Sequence, residues 1–382
     1  MTGIPTRTFD YLTILAECFP KDDIFARCIK GEWHKTSVDD YVEQSHAIAR
    51  GLLALGGQPQ DKVIVVTPNR PEWNFLDMGT TLAGLVFVPV YPTLSESEFL
   101  YILNHSDSKF IFAGTPRLYE ILEKVIPQMD HQATLFQIDP AEGRKSLQDV
   151  IEAGMERKQE LEEIVERNIR ETDPDTVASL VYTSGTTGTP KGVMLTHRNL
   201  TFDAHSHAVR QTYTEKHRML SFLPLCHVYE RTMNYEYQEK GISTYYAEGL
   251  KSIARDMASS HADGLCAVPR VLESMFDNFE KAGRDLKGFK KTLYDWCWNF
   301  GLEFDNRRHD PIYTFKRNMA DRLVYSKWRE KLGGHRLLVV SGGSSIRPQI
   351  VKLFNAAHMY IYEGYGMTEA GCRISVPDND VS

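Results

Sequence analysis

Tyr182-Thr183-Ser184-Gly185-Thr186-Thr187-Gly188-Thr189-Pro190-Lys191-Gly192 concentrates hydroxyls, glycines and one lysine between two apolar runs. Glycines let backbone N–H groups approach an anion closely, and hydroxyls add further donors. Lys191 supplies a point charge. The stretch therefore reads as a polyphosphate cradle at the end of a strand, Val177 to Tyr182. It is not a Walker A loop, because Pro190 precedes Lys191 where that pattern has Gly, and Gly192 follows where it has Ser or Thr. A P-loop GTPase or ATPase is disfavoured accordingly. With few apolar anchors, the loop is expected to have low local stability without nucleotide.

Outward from this loop, helix and strand patterns alternate. Val38, Tyr41, Ile48, Ala49 and Leu52 fall at helical spacing, with Ser37 and Asp40 as a capping box and Gly56-Gly57 as the stop. Short apolar runs at Val63–Val66, Val86–Val90, Lys109–Ala113 and Leu135–Ile138 predict buried strands, with helices starting near Pro71 and Ser95. A charge-dense stretch, 152–171, predicts a solvated linker helix. The pattern then restarts, with strands at Val177–Tyr182, Leu220–Leu223, Ile242–Tyr246, Gly264–Val268 and Leu337–Val340. The longest helical region runs from about Leu286 to Lys331. The expected fold class is α/β, two successive mostly parallel sheets flanked by helices. The expected division is 1–171, a first α/β subdomain with its linker helix, and 172–382, a second subdomain carrying the phosphate loop.

Composition narrows the function. The chain has 382 residues, 44 Lys and Arg against 51 Asp and Glu, a net charge of −7 and a 42% hydrophobic share. That share can fill a core and excludes wholesale disorder. The negative balance argues against a nucleic-acid partner. None of the six cysteines forms a CxxC pair, so a zinc ribbon or thioredoxin-type site is not expected, and buried thiols in a reducing compartment are. The segment Met1–Phe19 is a poor secretory signal, and no apolar run approaches the ~18 residues of a spanning helix. A cytoplasmic protein is expected.

Four further motifs accompany the loop: Leu82 to Thr93 (LAGLVFVPVYPT), Leu223 to Arg231 (LPLCHVYER), Val340 to Ser345 (VSGGSS) and Tyr362 to Glu369 (YEGYGMTE). Gly342-Gly343 follows an apolar strand, at the carboxyl end where nucleotides bind in open α/β sheets. Tyr365 lies between two glycines, an accessible ring for stacking on a base. Glu369 is a hard oxygen ligand for magnesium. The five motifs, in order, resemble those of the adenylate-forming superfamily. The Leu-Pro-Leu-x-His-Val-aromatic-Glu-Arg form is most similar to the long-chain fatty acyl-CoA synthetase branch.

The resemblance implies ATP-dependent activation of a fatty acid to acyl-AMP, then thioester formation with coenzyme A. ATP, Mg2+ and coenzyme A are the implied cofactors and co-substrates. By the same resemblance Thr183, Ser184, Gly185, Thr186, Thr187, Gly188 and Lys191 bind phosphates. Gly342, Gly343, Ser344, Gly364, Tyr365 and Gly366 form the adenine side, and Thr368 reaches the α-phosphate. Thr183 and Glu369 contact the metal, and His227 orients the carboxylate. His227, Lys191, Thr368 and Glu369 are the implied catalytic set. The family normally continues into the rest of a β-barrel subdomain, a hinge and a small C-terminal domain. The chain is thus expected to be the large N-terminal region of a longer enzyme, weakly active or inactive alone. Two readings stand beside this one: a fatty acyl-AMP ligase that loads a carrier protein, and a nucleotide-binding module without turnover.

Residues 281–331 carry thirteen Lys and Arg against seven Asp and Glu. Phe289, Trp296, Trp298, Phe300 and Trp328 are interleaved with them. Such a stretch either contacts an anionic membrane surface reversibly or is a helical pair with a core-facing aromatic side, as the spacing of Leu293, Trp296 and Phe300 allows.

Overall fold

A computed structural model describes residues 3–184, 189–334 and 337–375, the Ser184 side chain excepted. Gly185, Thr186, Thr187 and Gly188, and with them the expected behaviour of the loop tip, lie outside the described residues.

The strands are β1 (Phe25–Ile29), β2 (Glu32–Thr36), β3 (Lys62–Val66), β4 (Val86–Val90), β5 (Ser108–Ala113), β6 (Thr134–Gln137), β7 (Val177–Ser184) and β8 (Pro190–Thr196). They continue as β9 (Arg218–Ser221), β10 (Ser243–Tyr246), β11 (Gly264–Ala267), β12 (Leu337–Ser341), β13 (Met359–Glu363), β14 (Tyr365–Met367) and β15 (Cys372–Ser375). One sheet has the order β6-β5-β3-β4-β7-β8 and the other β13-β12-β11-β9-β10-β1-β2. Each is parallel except for one antiparallel edge strand, β8 in the first and β2 in the second. Strands β14 and β15 form a separate antiparallel ribbon.

Side-chain alternation along these strands builds five layers. Val63, Val65, Phe110 and Phe112 face a central helical core shared with Phe25, Met219, Tyr246 and Val340 of the second sheet. Ile64, Val66, Val88 and Ile111 face an outer layer that includes Phe99, Ile102, Leu118 and Leu122. On the far side, Leu220, Tyr245, Leu265 and Val339 pack on the helices of residues 253–356. Most parallel strands, buried on both faces, read as unbroken apolar runs, which made them legible in the sequence; β1 (FARCI) and β13 (MYIYE), interrupted by polar residues, were not expected.

The sheets exchange strands across position 171/172. Strands β7 and β8 complete the first sheet, while β1 and β2 cross into the second. The β1–β2 hairpin turns at Lys30 and Gly31, with φ of 52° and 86°. Strand β2 is largely exposed and lacks an apolar alternation, so its sequence gave no strand signal. The expected linker helix is two helices, Leu147–Met155 and Lys158–Glu171, the second burying Leu161 and Val165. The capping box of Ser37 and Asp40 is present. Five cysteines, Cys28, Cys226, Cys266, Cys297 and Cys372, are buried, and Cys18 is exposed. No described helix is long and apolar enough to cross a membrane.

The region 286–331 is not one helix. It divides into Gly288–Leu302, Pro311–Ala320, a π turn Asp321–Tyr325 and Ser326–Glu330. Four of its interleaved aromatics turn inward. Trp328 stacks on Phe279 with centroids 4.6 Å apart, Trp298 meets Phe276 at 4.9 Å, Phe300 meets Tyr313 at 5.1 Å, and Trp296 packs on Phe300. Phe289 alone of the five is widely exposed, at 81%. The aromatic interleaving is therefore core packing, as helical periodicity allows.

Candidate functional site

A cleft of about 160 Å³ opens at the carboxyl ends of the second sheet. Gly342 directly follows β12 and Gly364 directly follows β13, so the ends of two neighbouring parallel strands form its floor. The Gly364 N–H donates to Ser341 at 2.7 Å and the Gly342 N–H to Ala267 at 3.2 Å, which fixes both turns. Gly343 sits at φ 85°, a conformation that favours glycine. A Cβ on Gly342 would lie 3.2 Å from the Tyr229 ring, and Tyr229 is itself held by a 3.0 Å bond from its hydroxyl to Val340.

The opposite wall is the β14–β15 ribbon. Tyr365 is 65% exposed with its backbone between Gly364 and Gly366. A Cβ on Gly366 would lie 1.8 Å from the Cys372 carbonyl oxygen, so only glycine permits this pairing. Thr368 is buried, and Glu369 is exposed on the next turn. The ribbon is anchored by Arg373, which no sequence pattern marked. Arg373 Nη1 donates to Glu236 Oε2 at 3.0 Å, and its backbone N–H donates to Asp203 Oδ1 at 3.2 Å. These carboxylates hold the guanidinium firmly protonated.

His227 opens onto the same cleft at the N-cap of helix Val228–Glu239. Its Nδ1 accepts the Tyr229 N–H at 3.2 Å, which assigns the ring proton to Nε2. Burial lowers its pKa and keeps the imidazole neutral. The loop before it is clamped from the first sheet: Asn69 Nδ2 donates to Leu223 at 2.6 Å, and Asn69 Oδ1 accepts from the Leu225 N–H at 3.1 Å. His227 thus presents one N–H donor from a fixed loop.

Strands β7 and β8 bring the phosphate motif to the same region. Their register sets Thr183 opposite Lys191 and Tyr182 opposite Gly192, so each pair shares a face of the ladder. The loop joins two antiparallel strands, unlike the strand-to-helix turn of a Walker A motif. Its neck is fixed by a Tyr101 hydroxyl bond to Pro190 at 3.0 Å and a Tyr182–His105 bond at 2.8 Å. The turn Thr368–Ala370, which carries Glu369, packs on β8.

Of the expected site residues, His227, Gly342, Gly343, Gly364, Tyr365, Gly366 and Thr368 line one cleft. Thr183 and Lys191 face each other at the hairpin neck, Glu369 is exposed in the turn that packs on β8, and Ser344 is exposed in the turn after β12. Among the described residues, no group of three or more His, Cys, Asp or Glu could hold a metal alone. Thr183 and Glu369, the expected metal contacts, offer one hydroxyl and one carboxylate oxygen, a hard donor set that a magnesium ion could use only with further water or phosphate ligands. Sequence reading passed over Tyr229, Asn69 and Arg373. Tyr229 lies inside a quoted motif, but the other two act through contacts distant in sequence. Arg231, at the end of the motif Leu223 to Arg231, is wholly buried, its Nη2 2.7 Å from Asp77. A larger cavity, about 510 Å³, lies beyond Arg373 among Arg198, Phe202, Arg210 and Ile374, and gathers none of the expected residues.

Fold and cleft define an α/β protein with a glycine-walled cleft where parallel strands end beside a hydroxyl-rich hairpin. The chain belongs to the AMP-binding enzyme family, whose model it matches over residues 15–382. It is 31% identical over 364 residues to the long-chain-fatty-acid–CoA ligase FadD15 of Mycobacterium tuberculosis, covering 92% of this chain and 59% of that protein. It is 28% identical over 367 residues to human long-chain-fatty-acid–CoA ligase 1, covering 91% of this chain and 51% of that protein. The chain thus spans little more than half the length of these curated relatives. Among solved structures, the long-chain-fatty-acid–CoA ligase FadD1 of Archaeoglobus fulgidus superposes with a TM-score of 0.71 at 19% identity, covering 99% of this chain and 67% of that one. The N-terminal domain of FACL13 from Mycobacterium tuberculosis gives 0.66 at 19% identity, covering 96% and 77%. At that identity the likeness is one of fold.

Proposed function

We propose that this chain carries the adenylating site of a ligase that joins a fatty acid, of long chain, to coenzyme A. The observation that carries the reading is the meeting of His227, both glycine turns, Tyr365 and Thr368 in one cleft, with the turn that begins at Thr368 packed on β8. A fatty carboxylate attacks the α-phosphorus of Mg-ATP, the bond to the β-phosphate oxygen breaks, and pyrophosphate leaves with acyl-AMP formed. The coenzyme A thiol then attacks the acyl carbon and AMP departs.

In this reading Tyr365 stacks on adenine, and the turns Gly342-Gly343-Ser344 and Gly364–Gly366 let the nucleotide approach the backbone. Thr368 donates to the α-phosphate. The loop Ser184-Gly185-Thr186-Thr187-Gly188 with Lys191 stabilises charge on the leaving pyrophosphate, and Thr183 and Glu369 hold its magnesium. The His227 Nε2–H donates to the carboxylate and so orients it. Catalysis comes mostly from positioning and from charge stabilisation on phosphoryl oxygens. Names of relatives support fatty acid and coenzyme A as the substrates.

Pyrophosphate release with ATP and fatty acids of graded length, with and without coenzyme A, tests the reading. Release that depends on a long-chain acid is expected. Lys191→Ala is expected to lower it at least about tenfold, the loss of one charge-assisted contact to phosphate. Release without coenzyme A and acyl transfer only to a carrier protein would favour the acyl-AMP ligase. ATP binding with no release would favour a nucleotide-binding module.

A further inference from the structure

One helix of the outer layer presents an apolar stripe to solvent. In Pro311–Ala320, Tyr313 and Ala320 are buried against the protein. On the opposite side Ile312 is 70% exposed, Phe315 66% and Met319 37%. Their spacing, i, i+3 and i+7, sets them in one line along the helix. Lys316 and Arg322, both exposed, continue that line at i+4 and i+10. Exposed apolar residues scattered singly are ordinary, but three aligned on one short helix between cations are not.

The stretch that carries the stripe is positive. Within 281–331, Asp295, Asp305, Asp310 and Asp321 are each tied to a cation of the same stretch, Lys291, Arg307, Arg308 and Arg329. The remaining Lys and Arg therefore outnumber the remaining acids. Beside the stripe a polar cavity of about 370 Å³ runs between this helix and edge strand β13, with Arg308, His309, Tyr360 and Tyr362 in its walls.

We infer that this face is a docking surface for an anionic phospholipid bilayer, with Ile312, Phe315 and Met319 set between acyl chains and Lys316 and Arg322 at the headgroup phosphates. Charge complementarity selects this occupant. An aligned apolar stripe edged by cations is the pattern of a helix lying in a membrane interface. A second copy of the chain would bring two basic surfaces together. A ten-residue helix, about 15 Å long, also offers far less area than the roughly 1,200 Å² of a stable dimer. The bilayer is also where a fatty acid partitions, so the surface would bring the proposed ligase to its substrate; that use rests on the functional reading above, whereas the surface does not.

The test is co-sedimentation of the 382-residue chain with vesicles of phosphatidylcholine alone or mixed with phosphatidylglycerol, at about 0.05 M and about 0.5 M salt. Binding to the anionic vesicles is expected at low salt, at least about fivefold above phosphatidylcholine alone, and falling at high salt. The double substitution Ile312→Ser, Phe315→Ser, and the triple one with Met319→Ser, are expected to lower it about tenfold or more, the double with a nearly unchanged melting temperature because both side chains are mostly in water. Lys316→Glu with Arg322→Glu is expected to remove the preference for anionic lipid. No binding at low salt, equal binding to both vesicles, or undiminished binding by the triple variant would overturn the inference. So would self-association that the triple variant abolishes in the absence of vesicle binding. Pyrophosphate release from a long-chain acid delivered on serum albumin without vesicles, measured alongside, separates failure of the surface from failure of the functional reading.

Discussion

Glu230 is a buried acid beside the cleft with no cation, and its Oε2 has no hydrogen-bond partner. Burial pushes its pKa up to about 8, against a small opposing pull from the Ser221 hydroxyl. The folded protein therefore holds a proton there that the unfolded chain releases above about pH 4.5. Stability contributed by this site falls as pH rises from about 4.5 to about 8. His197 and His207, lowered to about 4 and about 3 by burial, act with the opposite sign. The unfolded chain takes up their protons below about pH 6.5, so stability falls as pH drops through that range. Glu230→Gln should leave the acid-side slope and reduce the other, to which buried Asp203, Glu236 and Glu239 also contribute. Urea unfolding should show the variant gaining on the natural protein by a few kcal/mol between pH 5 and pH 8; parallel pH profiles would contradict the assignment. Gly366 gives a steric prediction. A methyl group there meets the Cys372 carbonyl, so Gly366→Ala should cost about 1–3 kcal/mol and weaken nucleotide binding by displacing Tyr365. Calorimetric titration with ATP and thermal melting would both register it, and unchanged values in both would remove the close packing from the account.

At the scale of elements, the cleft depends on how helix Val228–Glu239 is held. Arg231, fully buried, donates from Nη2 to Asp77 at 2.7 Å, from Nη1 to Ser179 at 2.6 Å and from Nε to the Tyr235 hydroxyl at 2.8 Å. Tyr235 in turn donates to Asp77 at 2.5 Å. With every partner placed, Asp77 stands beside a cation and Arg231 remains protonated. This pair fixes the helix that starts at His227 to helix Pro71–Leu82 and to β7 of the other sheet. Arg231→Met should cost about 3–5 kcal/mol by leaving Asp77 buried without a cation, and adding Asp77→Asn should restore part of it. Denaturant unfolding of the single and double variants decides this; a single-variant cost below about 1 kcal/mol would show that the pair is not what holds the helix. Here the sequence was only half legible. The motif ended on Arg231 but gave it no role, because its partner lies 154 residues away and a contact at that distance leaves no local pattern. Helices and most parallel strands were legible because periodicity and apolar runs are local. Strands β1, β2, β8, β13, β14 and β15 were not, since short, partly exposed or polar-interrupted strands carry a weak signal.

Across the whole molecule, the site lies where two sheets present their strand ends together. The first sheet supplies the β7–β8 hairpin and Asn69, and the second supplies both glycine turns and the loop of His227. The motifs named the residues, while the crossing of β7 and β8 back to the first sheet explains how they meet. The central claim is that an acyl adenylate forms in the 160 Å³ cleft. The most direct measurement is a crystal structure of the chain with a non-hydrolysable acyl-AMP mimic, an acyl sulfamoyl adenosine. The account predicts the adenine ring against Tyr365 between Gly342-Gly343 and Gly364, with His227 Nε2 within hydrogen-bonding distance of the acyl carbonyl or the linking group. Adenine seated in the larger cavity among Arg198, Phe202 and Arg210, or in the cleft with His227 turned away from the ligand, would contradict it.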